Sequence, residues 1–239
     1  MQAWDKIPDT AKDADGAYYA DYTGIMSVGW NADKYGDISS LDDLLDPKFA
    51  GTVALNGKPA EAGAAFNGYL MANQLAGGDI NNLQPGLDYF KKLKEAGNLT
   101  TVDVTNGTID SGQTGVVFDW TYNQASYKKE LKDKGVNWKY KTFPKAQVVS
   151  YYNQAINKDA PHPAAARLWE EYLYTADAQN LWFKGGANPV LLDSMKEDGT
   201  VDQATLKDAI TIEGEPVSYT NDDSTRITEW LQNNWDKTI

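Results

Sequence analysis

Short apolar runs of strand length alternate along this chain with stretches whose apolar residues recur at helical spacing. That alternation restricts it to an α/β architecture. Ile25 to Trp30 and Gly51 to Leu55 read as short buried strands. A helical face begins at Phe66, Tyr69 and Leu70 and stops at Gly77-Gly78, and a second, with Leu83, Leu87, Phe90 and Leu93, stops at Gly97. Val102 to Val104 and Gly115 to Phe118 read as two more strands, followed by a polar helix from about Asn123 to Lys134 that ends at Gly135. Val148 to Ile156 returns to strand. From Pro163 to Tyr174 the helix signal is strongest: Pro163 suits a first turn, and Ala165, Leu168, Trp169, Tyr172 and Leu173 form one apolar stripe. Leu191 to Thr220 is acidic and weakly patterned, and a last helix carries Ile227, Trp230 and Leu231 on one face. There is no internal repeat and no long Pro/Gly/Ser linker, so two lobes would be joined through strands.

At 239 residues the chain can hold one large or two smaller cores. Its formal charge of −12 repels phosphate backbones and anionic lipid, which argues against nucleic-acid and membrane-surface roles. The absence of cysteine removes disulfides, zinc–thiolate sites, iron–sulfur clusters and thiol catalysis together. No stretch approaches the ~20 apolar residues of a membrane span. Met1-Gln-Ala-Trp-Asp has neither the basic start nor the apolar run of a signal peptide. That start fits a cytoplasmic protein, or an exported one whose signal segment is not in this sequence.

Motifs of catalysis are missing or incomplete. The lone His162, between two prolines at a helix start, reads as a capping or loop residue, so a triad or a histidine metal site has little to build on. Gly57-Lys58 suggests a phosphate loop, but Gly51 lies one residue too far upstream and Pro59 stands where magnesium needs Ser or Thr. Asp13-x-Asp15-Gly16 fits part of a calcium loop, yet Ala11 and Tyr22 occupy positions that should be acidic. Asn98-Leu-Thr100 and Asn106-Gly-Thr108 match a glycosylation pattern that is common by chance. Asp42-Asp43, Glu170-Glu171 and Asp222-Asp223 read as solvated faces or helix starts, and nothing singles out an acid/base pair. The expectation is therefore no catalytic residue, no metal and no cofactor.

Five segments in order carry a family resemblance. They are Tyr18-Tyr19-Ala-Asp-Tyr22-Thr-Gly24-Ile-Met-Ser-Val-Gly-Trp30-Asn31, Leu41-Asp-Asp-Leu-Leu-Asp-Pro-Lys-Phe-Ala-Gly51-Thr-Val-Ala-Leu55, Ser111-Gly-Gln-Thr-Gly-Val-Val-Phe118, Lys158-Asp-Ala-Pro-His162-Pro-Ala-Ala-Ala166 and Thr175-Ala-Asp-Ala-Gln179. The chain resembles the iron, thiamine and polyamine branch of periplasmic substrate-binding proteins, and the second segment, similar to the family's "DLLDPKYKGKV", is the most diagnostic. Each segment also has a plain structural job: Asp46-Pro47 stops a helix, Gly51 turns into a strand, and Pro163 and Thr175 start helices.

The resemblance implies a type II periplasmic-binding-protein fold, with two lobes of mixed β-sheet flanked by helices and a ligand held between them. It implies a second lobe of residues 31–144 with 196–239, and a first lobe of 1–30 with 145–195. Full-length members begin with further βα units before the first crossing segment, so the first lobe is expected to be incomplete, its bare edge either covered by the repacked first thirty residues or, as the favoured reading, paired with a second copy of the chain. The implied function is the capture component of an ATP-binding-cassette importer: extracytoplasmic, without catalysis, partnered by a small solute and by permease subunits and not by nucleic acid. An α/β hydrolase using Asp and Glu, and a surface adhesin, are the rival readings.

Ligand contacts are expected where strands end and helices begin. Asn56 follows one strand, and Gly63, Ala64 and Ala65 open a helix whose N–H groups can hold a polar or anionic group, or else form a tight packing loop. Asp119, Trp120 and Tyr122 follow another strand. Ferric-ion binders of the family carry adjacent tyrosines there and this chain does not, so a carboxylate beside aromatic plates points to a small polar organic solute, with an organic cation preferred. The alternative makes Trp120 core and Asp119 a cap. Of Tyr151 and Tyr152, strand alternation lets one face a ligand, Tyr151 being the candidate, and Tyr22 is a further one.

Overall fold

The computed structural model describes residues 1–212 and 215–239. Glu213 and Gly214, within the weakly patterned stretch 191–220, lie outside the described residues. The strands are β1 (Tyr19–Asn31), β2 (Val53–Leu55), β3 (Val116–Trp120), β4 (Trp138–Lys141), β5 (Val149–Gln154) and β6 (Asn188–Pro189). The helices are α1 (Ala32–Tyr35), α2 (Gly63–Leu75), α3 (Gln84–Glu95), α4 (Asn106–Asp110) and α5 (Thr121–Leu131), then α6 (Pro163–Leu173), α7 (Ala176–Lys184), α8 (Leu192–Glu197), α9 (Gln203–Asp208) and α10 (Asn221–Thr238). The chain forms two compact units, a smaller one of residues 1–24 with 150–211 and a larger one of 25–149 with 212–239. β1 and β5 run across the division, so two of the three passages between units lie inside strands, and the third, at residues 211–212, lies outside any helix or strand.

In the larger unit the strand order is β2-β3-β1-β4. β2 runs parallel to β3, pairing Val53 with Val116 and Leu55 with Phe118, and β1 is antiparallel to β3 and β4. The parallel pair needs a crossover, which α2, α3 and α4 supply. All five residues of β3 are buried, as is every residue of β1 from Thr23 to Trp30, which is why these segments read as near-continuous apolar runs. Val102–Val104, expected as a strand, is not one: Leu99 bridges to Val53 and Thr100 N–H reaches the Val53 carbonyl at 2.8 Å, after which the segment leaves the ladder.

α2 lies on β2 and β3 with its residues from Ala65 to Asn73 all buried. Gly68 lets it come so close, because a Cβ there would stand 3.0 Å from Leu55 Cδ2 and 3.3 Å from Phe118 Cβ. α3 buries Leu87, Phe90 and Leu93 against it, and α10 closes the core with Ile227, Leu231 and Trp235. Trp235 meets the rings of Phe90 and Tyr69 at centroid distances of 5.3 and 6.0 Å. Burial of these large rings supplies most of the driving force for the unit.

The smaller unit has its own core of Ile7, Ala20, Leu173, Phe183, Val190, Leu191, Met195 and Val201. β6 pairs antiparallel with the first part of β1, Tyr22 opposite Pro189 and Thr23 opposite Asn188, and β5 also pairs with β1. Thr175 caps α7 by accepting from Ala178 N–H, and Gln179 ties that helix to the sheet by donating to the Asp21 carbonyl. The stripe expected on the helix after Pro163 divides: Leu173 turns into the core, while Ala165, Leu168, Trp169 and Tyr172 face solvent.

Candidate functional site

β3 extends to Trp120, two residues beyond the expected strand, and α5 starts at the next residue. Asp119 therefore sits inside the sheet and is fully buried. Its Oδ1 accepts from Trp120 N–H at 2.8 Å and Asn123 Nδ2 at 2.9 Å, and its Oδ2 accepts from Asn56 Nδ2 at 2.8 Å and Tyr127 Oη at 2.9 Å. Burial pushes its pKa up, and these hydrogen bonds oppose that rise. Four donors saturate an ionised carboxylate, which has no donor of its own to offer. Asp119 consequently organises its neighbours and does not present a free oxygen to solute.

The consequence falls on Asn56 and Asn123. Each amide turns its NH2 to the carboxylate, so each Oδ1 points elsewhere as a fixed acceptor. Both side chains are half-buried, which leaves them accessible. Trp120, by contrast, is buried in the larger core at 4% exposure, and Tyr122 stacks beside it at 6.3 Å with the ring planes 16° apart. Of the expected aromatic pair, only half-buried Tyr122 can meet a ligand.

Asn56 is held at the end of β2 by its own N–H, which donates to the Phe118 carbonyl at 3.3 Å. Gly57 turns the chain there with φ +99°, and a Cβ on it would lie 2.5 Å from Ala62 Cβ, so this tight return needs glycine. α2 then starts without a side-chain cap, its first intrahelical bond running from Phe66 N–H to the Ala62 carbonyl at 2.9 Å. Gly63 and Ala64 offer N–H groups with no helical partner, while Ala65 is buried. The space beside Gly63 is open, since a Cβ there would meet nothing within 4 Å.

In the smaller unit Tyr22 lies between two rings, Tyr152 at 4.7 Å and 11° on one side and Trp182 at 4.4 Å and 27° on the other. Burial raises the Tyr22 phenol pKa. Alternation along β5 sends Tyr151 toward the apolar core and Tyr152 toward Tyr22. Tyr152, not the expected Tyr151, and Trp182 complete a three-ring stack around Tyr22.

The structure thus joins Asn56 to Asp119 and sets Trp120 against Tyr122, and it adds Asn123 and Tyr127, which the sequence reading missed. Asn123 and Tyr127 lie four residues apart on α5, the spacing that aligns side chains on one helix face, and that is the signal that would have found them. A hollow of about 660 Å³ on the larger unit is lined by Leu55, Gly57 and Ala62, the chain neighbours of Asn56 and Gly63, together with Val102 and Trp235, but by none of the expected ligand residues themselves. Among the described residues no three acidic or histidine side chains gather as a metal ion would require.

A family model described as "Bacterial extracellular solute-binding protein" matches residues 1–209. No curated protein matches the chain. Among solved structures, an extracellular solute-binding protein from Bordetella parapertussis is similar with TM-score 0.75 at 13% identity, covering 100% of this chain and 73% of its own. Iron-bound HitA from Pseudomonas aeruginosa gives 0.67 at 20%, covering 100% and 74%. The spermidine/putrescine substrate-binding protein PotD from Streptococcus pneumoniae gives 0.68 at 13%, covering 98% and 74%. At these identities the likeness is one of fold.

Proposed function

Because the chain belongs to the bacterial extracellular solute-binding proteins, we propose that it captures a small polar organic solute and delivers it to the permease of an ATP-binding-cassette importer. Membership makes it an extracytoplasmic binder. The importer reading is supported by structures of like fold, one of them described as an ABC transporter from Clostridium perfringens. Binding proceeds without making or breaking a bond, in keeping with the missing catalytic motifs.

The observation that carries the solute class is the pair of acceptor oxygens, Asn56 Oδ1 and Asn123 Oδ1, fixed by one buried carboxylate. Acceptors backed by a negative charge favour a ligand rich in N–H or O–H donors, and a cationic one most. Tyr122 offers a ring edge or face to the apolar part of such a molecule. In the smaller unit both faces of the Tyr22 ring are covered, by Tyr152 and Trp182, and Tyr151 packs toward the apolar core. The uncapped start of α2 at Gly63 and Ala64 suits an anionic group, and a zwitterion would use both.

A thermal-shift panel tests this on the 239-residue chain, with putrescine, spermidine and choline against phosphate, sulfate and neutral sugars. A binder is stabilised by its ligand alone, by ~2.7 kcal/mol at a hundredfold excess over Kd. One organic cation or zwitterion is expected to raise the melting temperature without being consumed. Turnover of the stabilising compound would make the chain an enzyme, and stabilisation by phosphate alone would move the site to the start of α2. No shift with any solute would favour an adhesin.

A further inference from the structure

The segment after Leu99 leaves the edge of β2, and its departure opens the hollow in the larger unit. Thr100 N–H donates to the Val53 carbonyl at 2.8 Å, and then the chain turns away. Val102 N–H reaches back to Thr100 Oγ1 at 3.4 Å, and the Leu55 carbonyl accepts from Gly57 N–H at 2.9 Å. The last turn of α10 closes the far side with Trp235. The space so enclosed, about 660 Å³, falls inside the ~300–1,000 Å³ of small-molecule sites. Its apolar wall is Leu55, Ala62, Leu99, Val102 and Trp235. Val102 stands there 38% exposed, although valine is a residue type that is most often fully buried.

The charged side chains that line the hollow are Glu61, Asp103, Asp236 and Lys58. Lys58 is already engaged, its ammonium 2.7 Å from Asp236 and 3.5 Å from Glu61. Three carboxylates face one ammonium, so the rim keeps a negative balance over an apolar floor. We propose that this hollow binds a small amphipathic cation, an alkyl or aryl chain that ends in an ammonium group. The chain lies against Leu99, Val102 and Trp235, and the ammonium stays at the rim beside Asp103, still partly in water. A neutral apolar guest leaves the carboxylates unanswered, and an anion is repelled by them. The site stands apart from the amide pair at Asn56 and Asn123. Leu55 packs on α2, whereas Asn56, the next residue, turns to Asp119 and Tyr127 on the face that α5 covers. The two sites thus lie on opposite faces of one sheet, and this assignment does not rest on the solute proposed above.

Calorimetric titration of the 239-residue chain with hexylammonium, propylammonium and hexanoate tests the assignment. Hexylammonium is expected to bind saturably. Each methylene removed from it should weaken binding about fourfold, the equivalent of ~0.8 kcal/mol per buried CH2, and hexanoate should bind at least tenfold more weakly. Val102→Trp, at an exposed position, fills the hollow and should lower hexylammonium affinity at least tenfold with an unchanged circular-dichroism spectrum. Asp103→Lys reverses the balance of the rim and should lower it severalfold. No saturation by hexylammonium in the millimolar range would overturn the proposal, as would equal binding of hexanoate. Weakening by Asn56→Ala with no effect of Val102→Trp would overturn it too, by placing the cation at the amide pair.

Discussion

Asp119 is where a single residue decides most. With four donors on two oxygens, it fixes the loop after β2, the end of β3 and the first two turns of α5 at once. Asp119→Asn keeps the shape but places an NH2 against donors, leaving at least one of them unpaired in a buried site. The expected cost is ~2–4 kcal/mol, the range for breaking one side of a buried charged network. Urea unfolding measures it as a lower midpoint at unchanged slope, and a loss below ~0.5 kcal/mol would show that the network relaxes freely. The sequence marked Asp119 and Asn56 as candidates by their places at strand ends. It did not reveal that they bond to each other, because a contact across 63 positions is a product of the parallel β2–β3 pairing and leaves no local pattern. Nor did it show that Trp120 is core, since a buried tryptophan and a ligand plate read alike in one dimension.

Elements were legible where burial is one-sided. α3 and α10 each bury one face, so their apolar residues stand out at helical spacing, whereas α2 is buried all round and shows only its first few aromatics as a pattern. The stripe of α6 was legible too, but its direction was not, because periodicity fixes a face without saying what lies opposite it. The start of α10 is set by chemistry that the periodicity did not expose. Thr220 accepts from Asp223 N–H at 3.1 Å, and Asp223 accepts from Thr220 N–H at 3.0 Å and from Arg226 at 2.8 Å, a reciprocal cap. These donors hold the Asp223 pKa down at about 2, against an ordinary 3.8. Because the folded value lies below the unfolded one, the stabilisation is complete above about pH 4 and is lost as the pH falls toward about 2. Asp223→Asn should flatten the stability–pH profile over that window relative to the parent. Parallel acid titrations followed by tryptophan fluorescence compare the two, and identical profiles would mean that the cap carries no linked proton.

For the molecule as a whole, the charge of −12 favours positively charged solutes in encounter and disfavours anions, the same direction as the fixed amide acceptors beside Asp119. Family membership supplies the function class, whereas the solute class is a proposal argued from the local geometry, so the two can fail separately. Calorimetric titration of the parent chain and of Asn56→Ala, with the organic cation that gives the largest thermal shift, tests the central claim most directly. A hydrogen bond to a charged group contributes ~1.5–3 kcal/mol, so the account predicts saturable one-to-one binding by the parent and affinity weakened ~10- to 100-fold by the substitution. Equal affinity in the two proteins would contradict it.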